Sequence, residues 1–559
     1  MMKVVRVGII AFCLFSAGTG WGLSVTVNKA GSGGAYTSIQ SAINSGADHI
    51  TITDSGVYEE NVTIGDNDTL TGGPAVTLTS TKTGVDRPVI TTNDSHTYTD
   101  AQDGGRGAVV QVFAQNSKIS NVIVEANPEV ACGSIAVIAQ GVEITNCILR
   151  PRPGKAGNLS ASIPLLFCGS QGSAGGEPTS NGRNCDNVIV RDCELCGVAT
   201  DKLLEPVADI YPGYLSSANS QATQLVRMDM YSHEPDGADR IIDVTFENCY
   251  IHHSSDLHLF PSNRGDTGGQ VIVYLMNCRL DAAAKFSIRG RGACVVADHS
   301  VFTRTNQGNH GDGENAAIAI NTQNGHLDNW ARVTDCVFVN CGSAFAKKGY
   351  YGAINNHNTM GTITTDHCTF DKCLNGCVVG TGGGTTDTRH IVSNSIFHNI
   401  GYNAPPAIDA AGIPLGATTP LDPPGLYRAW FFGVETMFDG SALWSAVFNN
   451  YISTEAILQV DTCLVGTIAD EDTRVWADAV AAGFGDRENI LGCRLSCGDV
   501  GEDLRVRGLG TVTRGTPVFL NTDPDAEAPY QLAPGSPGQG LGARFGGPPS
   551  SAVNWSLYN

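Results

Sequence analysis

The stretch VTFENCYI, residues 244–251, decides the fold, because near-copies of it keep returning along the chain. GVEITNCIL (141–149), NVIVRDCEL (187–195), VIVYLMNCRL (271–280), ARVTDCVF (331–338) and ITTDHCTF (363–370) share one pattern. Apolar and polar residues alternate, Asn, Asp or His follows, then Cys, then an apolar residue two places on. In VADHSVF (296–302) and IVSNSIF (391–397), Ser stands where the others have Cys. From Cys249 to Cys278 is 29 residues, from Cys278 to Ser300 22, from Ser300 to Cys336 36 and from Cys336 to Cys368 32. The strand signature is constant while the spacing varies. Helical repeats hold their period more tightly, whereas a parallel β-helix carries short strands on every coil and accepts insertions in its turns.

Stacked coils lie about 4.8 Å apart, so one inward position repeats as a column of like residues. Here the column is Cys147, Cys193, Cys249, Cys278, Ser300, Cys336, Cys368 and Ser395. Small, soft side chains suit a tight interior near a bend. The preceding Asn146, Asn248, Asn277 and Asn394 fit a turn or an amide ladder. A line of cysteines is core packing, since zinc needs ligands that converge on a point. Cys193 and Cys196 form a CxxC, but no thioredoxin-like βαβ pattern surrounds them; buried thiols or occasional disulfides are the alternatives.

The 559 residues carry a formal charge of −21, 67 glycines and only 34 Lys plus Arg. Such a chain is a poor general ligand for nucleic acid or anionic membranes, so an anionic partner needs a local basic patch. The opening MMKVVRVGIIAFCLFSAGTGWG reads as a secretory signal over 1–22: Lys3 and Arg6, an apolar run, then small residues. The run is short for a membrane span. The expected protein is therefore secreted or extracytoplasmic, with no transmembrane segment after the leader.

Residues 36–45, YTSIQSAINS, place Ile39, Ala42 and Ile43 on one helical face, with Thr37 and Gln40 as a capping box. A short helix there would plug the open end of the first coil. The stretch 25–64, with Gly56, Tyr58, Glu60, Val62 and Ile64 at its end, resembles the opening of pectinesterase-like and pectate-lyase-like β-helix proteins. The stretch 516–540 resembles the final coil of secreted proteins of that superfamily. The resemblance implies one right-handed parallel β-helix over 23–545, of roughly ten to thirteen coils, with a tail at 546–559. Two stretches without the repeat, about 198–240 and 401–450, read as insertions. The second holds Tyr427, Trp430, Phe431, Phe432 and Trp444, which either stack on sugar rings or pack on the solenoid.

Aligning coils on the column puts Leu257/Leu259, Phe286/Ile288 and Ile318/Ile320 inward. The outward set is then Asp256 and His258, next Lys285, Ser287 and Arg289, next Ala319 and Asn321, then Ala346 with Lys347 or Lys348 at the strand end. An acidic chain thus gathers Lys285, Arg289, Arg291 and Lys347 beside Asp256 and His258. That set suits an acidic polysaccharide. A uronate lyase neutralises a carboxylate and removes the neighbouring carbon-bound proton. In the β-helix lyases that the chain resembles, Lys or Arg serves as base, often with Ca2+ held by acidic residues. The expected catalytic residues are Lys285, Arg289, His258 and Asp256, and the expected sugar-binding residues are Arg291, Asn321, Lys347 and Trp430. Asp256 and Asp281 are the candidate Ca2+ ligands.

Other chemistries lack their residues. Of the polygalacturonase set only Asn521-Thr522-Asp523 occurs, and the pectin methylesterase motifs are missing. GNHGDGEN (308–315) lacks the Gly-Lys-Ser/Thr of a phosphate loop, so His310 and Asp312 belong to a turn or to the groove wall. IGDNDTLTGG (64–73) lacks the glutamate of an EF-hand and reads as a surface turn. The rival to the enzyme is a non-catalytic cell-surface or matrix protein that binds glycans or protein partners.

Overall fold

The structure, a computed structural model, describes residues 22–66, 72–97, most of 107–169, 185–199, 222–230, 241–263, 269–305, 316–321, 329–341, 352–357, 362–373, 377–380, 389–398, short strands between 432 and 514, and most of 517–544. Its strands form three parallel sheets of 14, 13 and 11 strands, here sheets 1, 2 and 3 in the order a coil visits them. One coil runs Ile241–Glu247 in sheet 1, Tyr250–Ser254 in sheet 2 and Leu257–Asn263 in sheet 3. Every named strand pairs in parallel with its equivalents on neighbouring coils, for example Phe246 with Leu275 and Ile251 with Leu280. This is a parallel β-helix, and sheet 1 has more strands than the expected coil number.

The quoted stretch explains itself in this geometry. Ile242, Val244 and Phe246 alternate into the core, and Cys249 and Ile251 continue it past the corner. The whole Cys/Ser column is buried. Each residue before it sits in the left-handed region: Asn146, Asp192, Asn248, Asn277, His299, Asp335, His367 and Asn394 have φ between 47° and 53°. Asn, Asp and His tolerate that region better than other side chains that carry a Cβ. Their amides also climb the stack, with Asn248 Nδ2 donating to Asp192 Oδ1 (3.2 Å) and Asn277 Nδ2 to Asn248 Oδ1 (2.7 Å).

Ser can replace Cys in the column because both accept and donate. The backbone N–H of Cys147 donates to Cys193 Sγ, that of Cys278 to Ser300 Oγ and that of Cys368 to Ser395 Oγ. The Cys249 thiol donates to Glu247 O and Val190 O. Burial holds the thiols of Cys147, Cys193 and Cys249 well above their ordinary pKa. They are protonated packing groups, and the thirteen cysteines whose side chains are described are buried and free of disulfides. Deeper in the core, Phe302, Phe338 and Phe370 stack at 4.8 and 5.0 Å.

Between sheets 2 and 3 a second corner repeats the left-handed turn at His253, Ala282, Arg304, Asn340 and Lys372. Ser254, Ala283, Thr305, Cys341 and Cys373 follow them into the interior.

The helix forms at Ile39–Asn44, with Ile39 and Ala42 in the core. Its cap differs from the expected Thr37/Gln40 box. Ser38 is the N-cap and accepts from the Ser41 N–H. The carboxylate comes from the next part of the coil: Glu60 accepts from Ser38 Oγ and from the N–H groups of Ile39 and Gln40. A carboxylate there satisfies orphan amides and faces the positive end of the helix. Tyr58 is fully buried and donates its hydroxyl to Asp54.

Two expected boundaries shift. Within 198–240, Gln224–Met230 is a strand of sheet 3, so the interruption is shorter than its composition suggests. The segment 517–544 carries no named strand and lies along the outer face of sheet 2 instead of adding a coil. There Tyr530 joins Val301, Val337 and Val339 in one apolar cluster and donates its hydroxyl to Asp371 (2.7 Å). Arg544 forks onto both oxygens of Asp335. Among the described residues no helix is long and apolar enough to cross a membrane.

Candidate functional site

The outer face of sheet 3 differs from the expected one by a local irregularity. Leu259, Ile288, Ile318 and Ile320 belong to the main core, as expected. Leu257 and Phe286 do not: they form a separate outer cluster with Phe260, Ala316 and Ala319. Two successive residues near the start of each strand therefore face inward. His258 and Ser287 occupy the places held by Leu225 and Ala317 on neighbouring coils, and both of those are core residues. The expected outward position of His258 is thus corrected; an irregularity of one residue moves a side chain to the other face. His258 is fully buried, its ring against the backbone of Asp281 and Ala282. Burial lowers its pKa to about 3, so it is neutral and out of reach of a ligand on the outer face.

That face carries two rows of side chains. Register pairs Arg227 with Phe260, Arg289 with Ala319 and Ala319 with Asn355. Two residues on, it pairs Asp229 with Ser262, Ser262 with Arg291 and Arg291 with Asn321. The guanidinium groups of Arg227 and Arg291 lie over the Phe260 ring at 5.5 and 5.4 Å, and that of Arg289 over Phe286 at 5.1 Å. Arg227 is buried with Asp229 as an ion pair. Arg289 and Arg291 are half-buried and form the accessible edge of this cationic surface. Arg289, Arg291 and Asn321 are therefore together, as expected. Arg227, Asp229, Phe260 and Ser262 were missed, the first two because they fall within the supposed insertion. QLVRMDM (224–230) does carry a signal there: Met228 and Met230 alternate with Arg227 and Asp229.

The other expected residues stand apart. Lys285 and Asp256 are side by side, as expected, with Lys285 Nζ 3.1 Å from Asp256 Oδ1 at the margin of the sheet. Asp281 belongs to sheet 2 and is fully buried. Thr303 Oγ1 and Arg304 Nε donate to it at 2.5 and 2.6 Å, and Arg304 Nη2 takes its second oxygen. Burial opposes ionisation, but the Arg304 guanidinium outweighs it and holds the carboxyl well below the usual range. Asp256 and Asp281 thus have separate cationic partners. Lys347, Trp430, His310 and Asp312 lie outside the described residues.

Sheet 1 carries an open groove of about 820 Å³ lined by Trp330, Arg332, Thr364, Asp366 and Asn394 among others. Asp366 accepts from Ser393 Oγ (2.6 Å), Asn394 Nδ2 (2.8 Å) and His367 Nδ1 (2.9 Å). Burial raises its pKa, but these donors together bring it below the ordinary value. One indole, one guanidinium and several hydroxyls line the groove.

No family model matches the chain, and no curated protein matches it either. The site must be read from its own residues.

Proposed function

We propose that the protein is exported and acts on an acidic extracellular polysaccharide held on the outer face of sheet 3. The observation that carries this reading is the grouping of Arg227, Arg289 and Arg291 over Phe260 and Phe286 in a chain of net charge −21. A guanidinium presents a planar fork that fits a carboxylate, so Arg289 and Arg291 would hold uronate groups while Arg227 keeps Asp229 as its counter-ion.

Neutralising a uronate carboxylate makes the adjacent C–H bond more acidic. In β-elimination a base takes that proton, its electron pair forms the ring double bond, and the bond to the leaving oxygen breaks as that oxygen gains a proton. His258 is inside the core, so the base of such a step is sought among Arg289, Arg291 and Lys285. Lys285 would have to leave Asp256 to serve.

The test incubates the protein with pectate, alginate and glycosaminoglycans, with and without Ca2+, and follows the ultraviolet absorbance of unsaturated uronate ends. New absorbance lost in Arg289→Ala and Arg291→Ala supports the lyase reading. Binding to acidic glycans without new absorbance, weakened by the same variants and by salt, leaves a binding protein. Absence of both activity and binding defeats the proposal. The sheet 1 groove favours a second reading, a non-catalytic glycan-binding protein. Glycan-array binding that is lost in Trp330→Ala and kept in Arg289→Ala would select it.

A further inference from the structure

At the second corner, sheet 2 brings a cysteine and two histidines into one buried group. Register pairs Cys196 with His252, and His253 is the left-handed corner residue beside them. One donor atom from each of Cys196, His252 and His253 lies within 4.8 Å of the others. His252 Nδ1 and His253 Nδ1 face each other at 2.6 Å, and His252 Nε2 is 3.2 Å from Glu194 Oε1. The His252 ring stacks on Tyr250 at 3.9 Å, which fixes its plane. All three groups are buried, and His253, at 8% exposure, is the one nearest solvent.

We propose that Cys196, His252 and His253 form a site for a transition-metal ion of the Zn2+ class. One thiolate and two imidazoles are soft-to-borderline donors, which suit Zn2+ and not Ca2+ or Mg2+. Ligands at bond lengths of about 2.0–2.3 Å stand roughly 3–4 Å apart, so small ring movements complete the geometry. The two Nδ1 atoms are too close to straddle an ion as they stand; one donates a proton to the other. Metal entry parts them: the proton between the two Nδ1 atoms moves to the far nitrogen of the His253 ring, and the Cys196 thiol proton leaves to solvent as the metal–sulfur bond forms. Glu194 plays the outer part, accepting from the far ring N–H of His252 so that Nδ1 points at the ion. The Cys196 thiol rests on Val198 O, much as the column thiols rest on backbone carbonyls; what sets it apart is that two imidazoles converge on it, whereas the column cysteines run along a line.

This site is independent of the polysaccharide reading. Its test uses the full chain, stripped with a chelator and titrated with Co2+. The expected result is one ion per chain with a thiolate-to-cobalt charge-transfer band, displaced by Zn2+. Cys196→Ser should abolish the band, and Glu194→Gln should weaken binding by about ten- to a hundredfold. Cys193→Ser, which places in the column the residue that Ser300 and Ser395 already supply, should keep both band and affinity. Absence of the band in the wild-type chain overturns the proposal. So does a band that survives in folded Cys196→Ser, with folding checked by circular dichroism.

Discussion

Between sheets 1 and 2 the left-handed residue is Asn, Asp or His on all eight coils named above. Between sheets 2 and 3 it is His253, Ala282, Arg304, Asn340 and Lys372. At the first corner the side chain and the backbone agree. The residue tolerates positive φ, its amide bonds to the next coil, and Cys or Ser closes the turn. At the second corner Ala282, Arg304 and Lys372 hold a conformation that costs about 1 kcal/mol or more in a residue with a Cβ. That corner is held by its surroundings, and it is where His252, His253, Asp281 and Arg304 gather. Uniform corners build the solenoid; the irregular corner is where chemistry can be placed.

The sharpest way to break this comparison is Asp281→Ala. It strands Arg304 and Thr303 beside a buried gap and should lower stability by about 3–5 kcal/mol, read from the denaturant midpoint. A loss below about 1 kcal/mol would show that the ion pair does not hold the second corner. Asn277→Ala at the first corner should cost about 1–2 kcal/mol, through the left-handed preference and one ladder bond. If it costs as much as Asp281→Ala, the two corners are not different in kind.

Acid should act through His258 next. Its folded pKa of about 3 lies below the ordinary 6.5, so the unfolded chain binds the proton first. Its contribution is complete above pH 6.5 and is lost as pH falls towards 3, amounting to about 1 kcal/mol between pH 7 and 5.5. His258→Leu, which copies Leu225 of the neighbouring coil, should flatten that slope; an unchanged slope would place the titration elsewhere. Ala282→Gly should stabilise by about 0.5 kcal/mol, because glycine relaxes the strain but loosens the unfolded chain. Smallest of all, Cys249→Ser should shift stability by about 0.5 kcal/mol or less, since serine keeps both hydrogen bonds. A large loss there would mean that sulfur volume, not bonding, selects cysteine.

The solenoid was legible because VTFENCYI and its copies state inward alternation, corner and column in eight residues. The arginine face was legible in part: Arg289, Arg291 and Asn321 follow from simple alternation. His258 was misplaced because two consecutive inward residues leave no mark in a pattern of period two. Arg227 and Asp229 were hidden by the dissimilar residues before them. The grouping of Cys196 with His252 and His253 could not be seen either, since residues 56 apart meet only once the register of sheet 2 is known.

The segment 517–544 has a consequence for how the molecule is assembled. In a solenoid each coil leans on its neighbours alone, so the array can fray or form piecewise. Tyr530 and Arg544 reach across 159 and 209 residues of chain to Asp371 and Asp335. These ties cannot close until coils made much earlier have set. They act as a latch that fastens last, turning a stack of neighbours into a unit whose middle coils and late segment must come apart together.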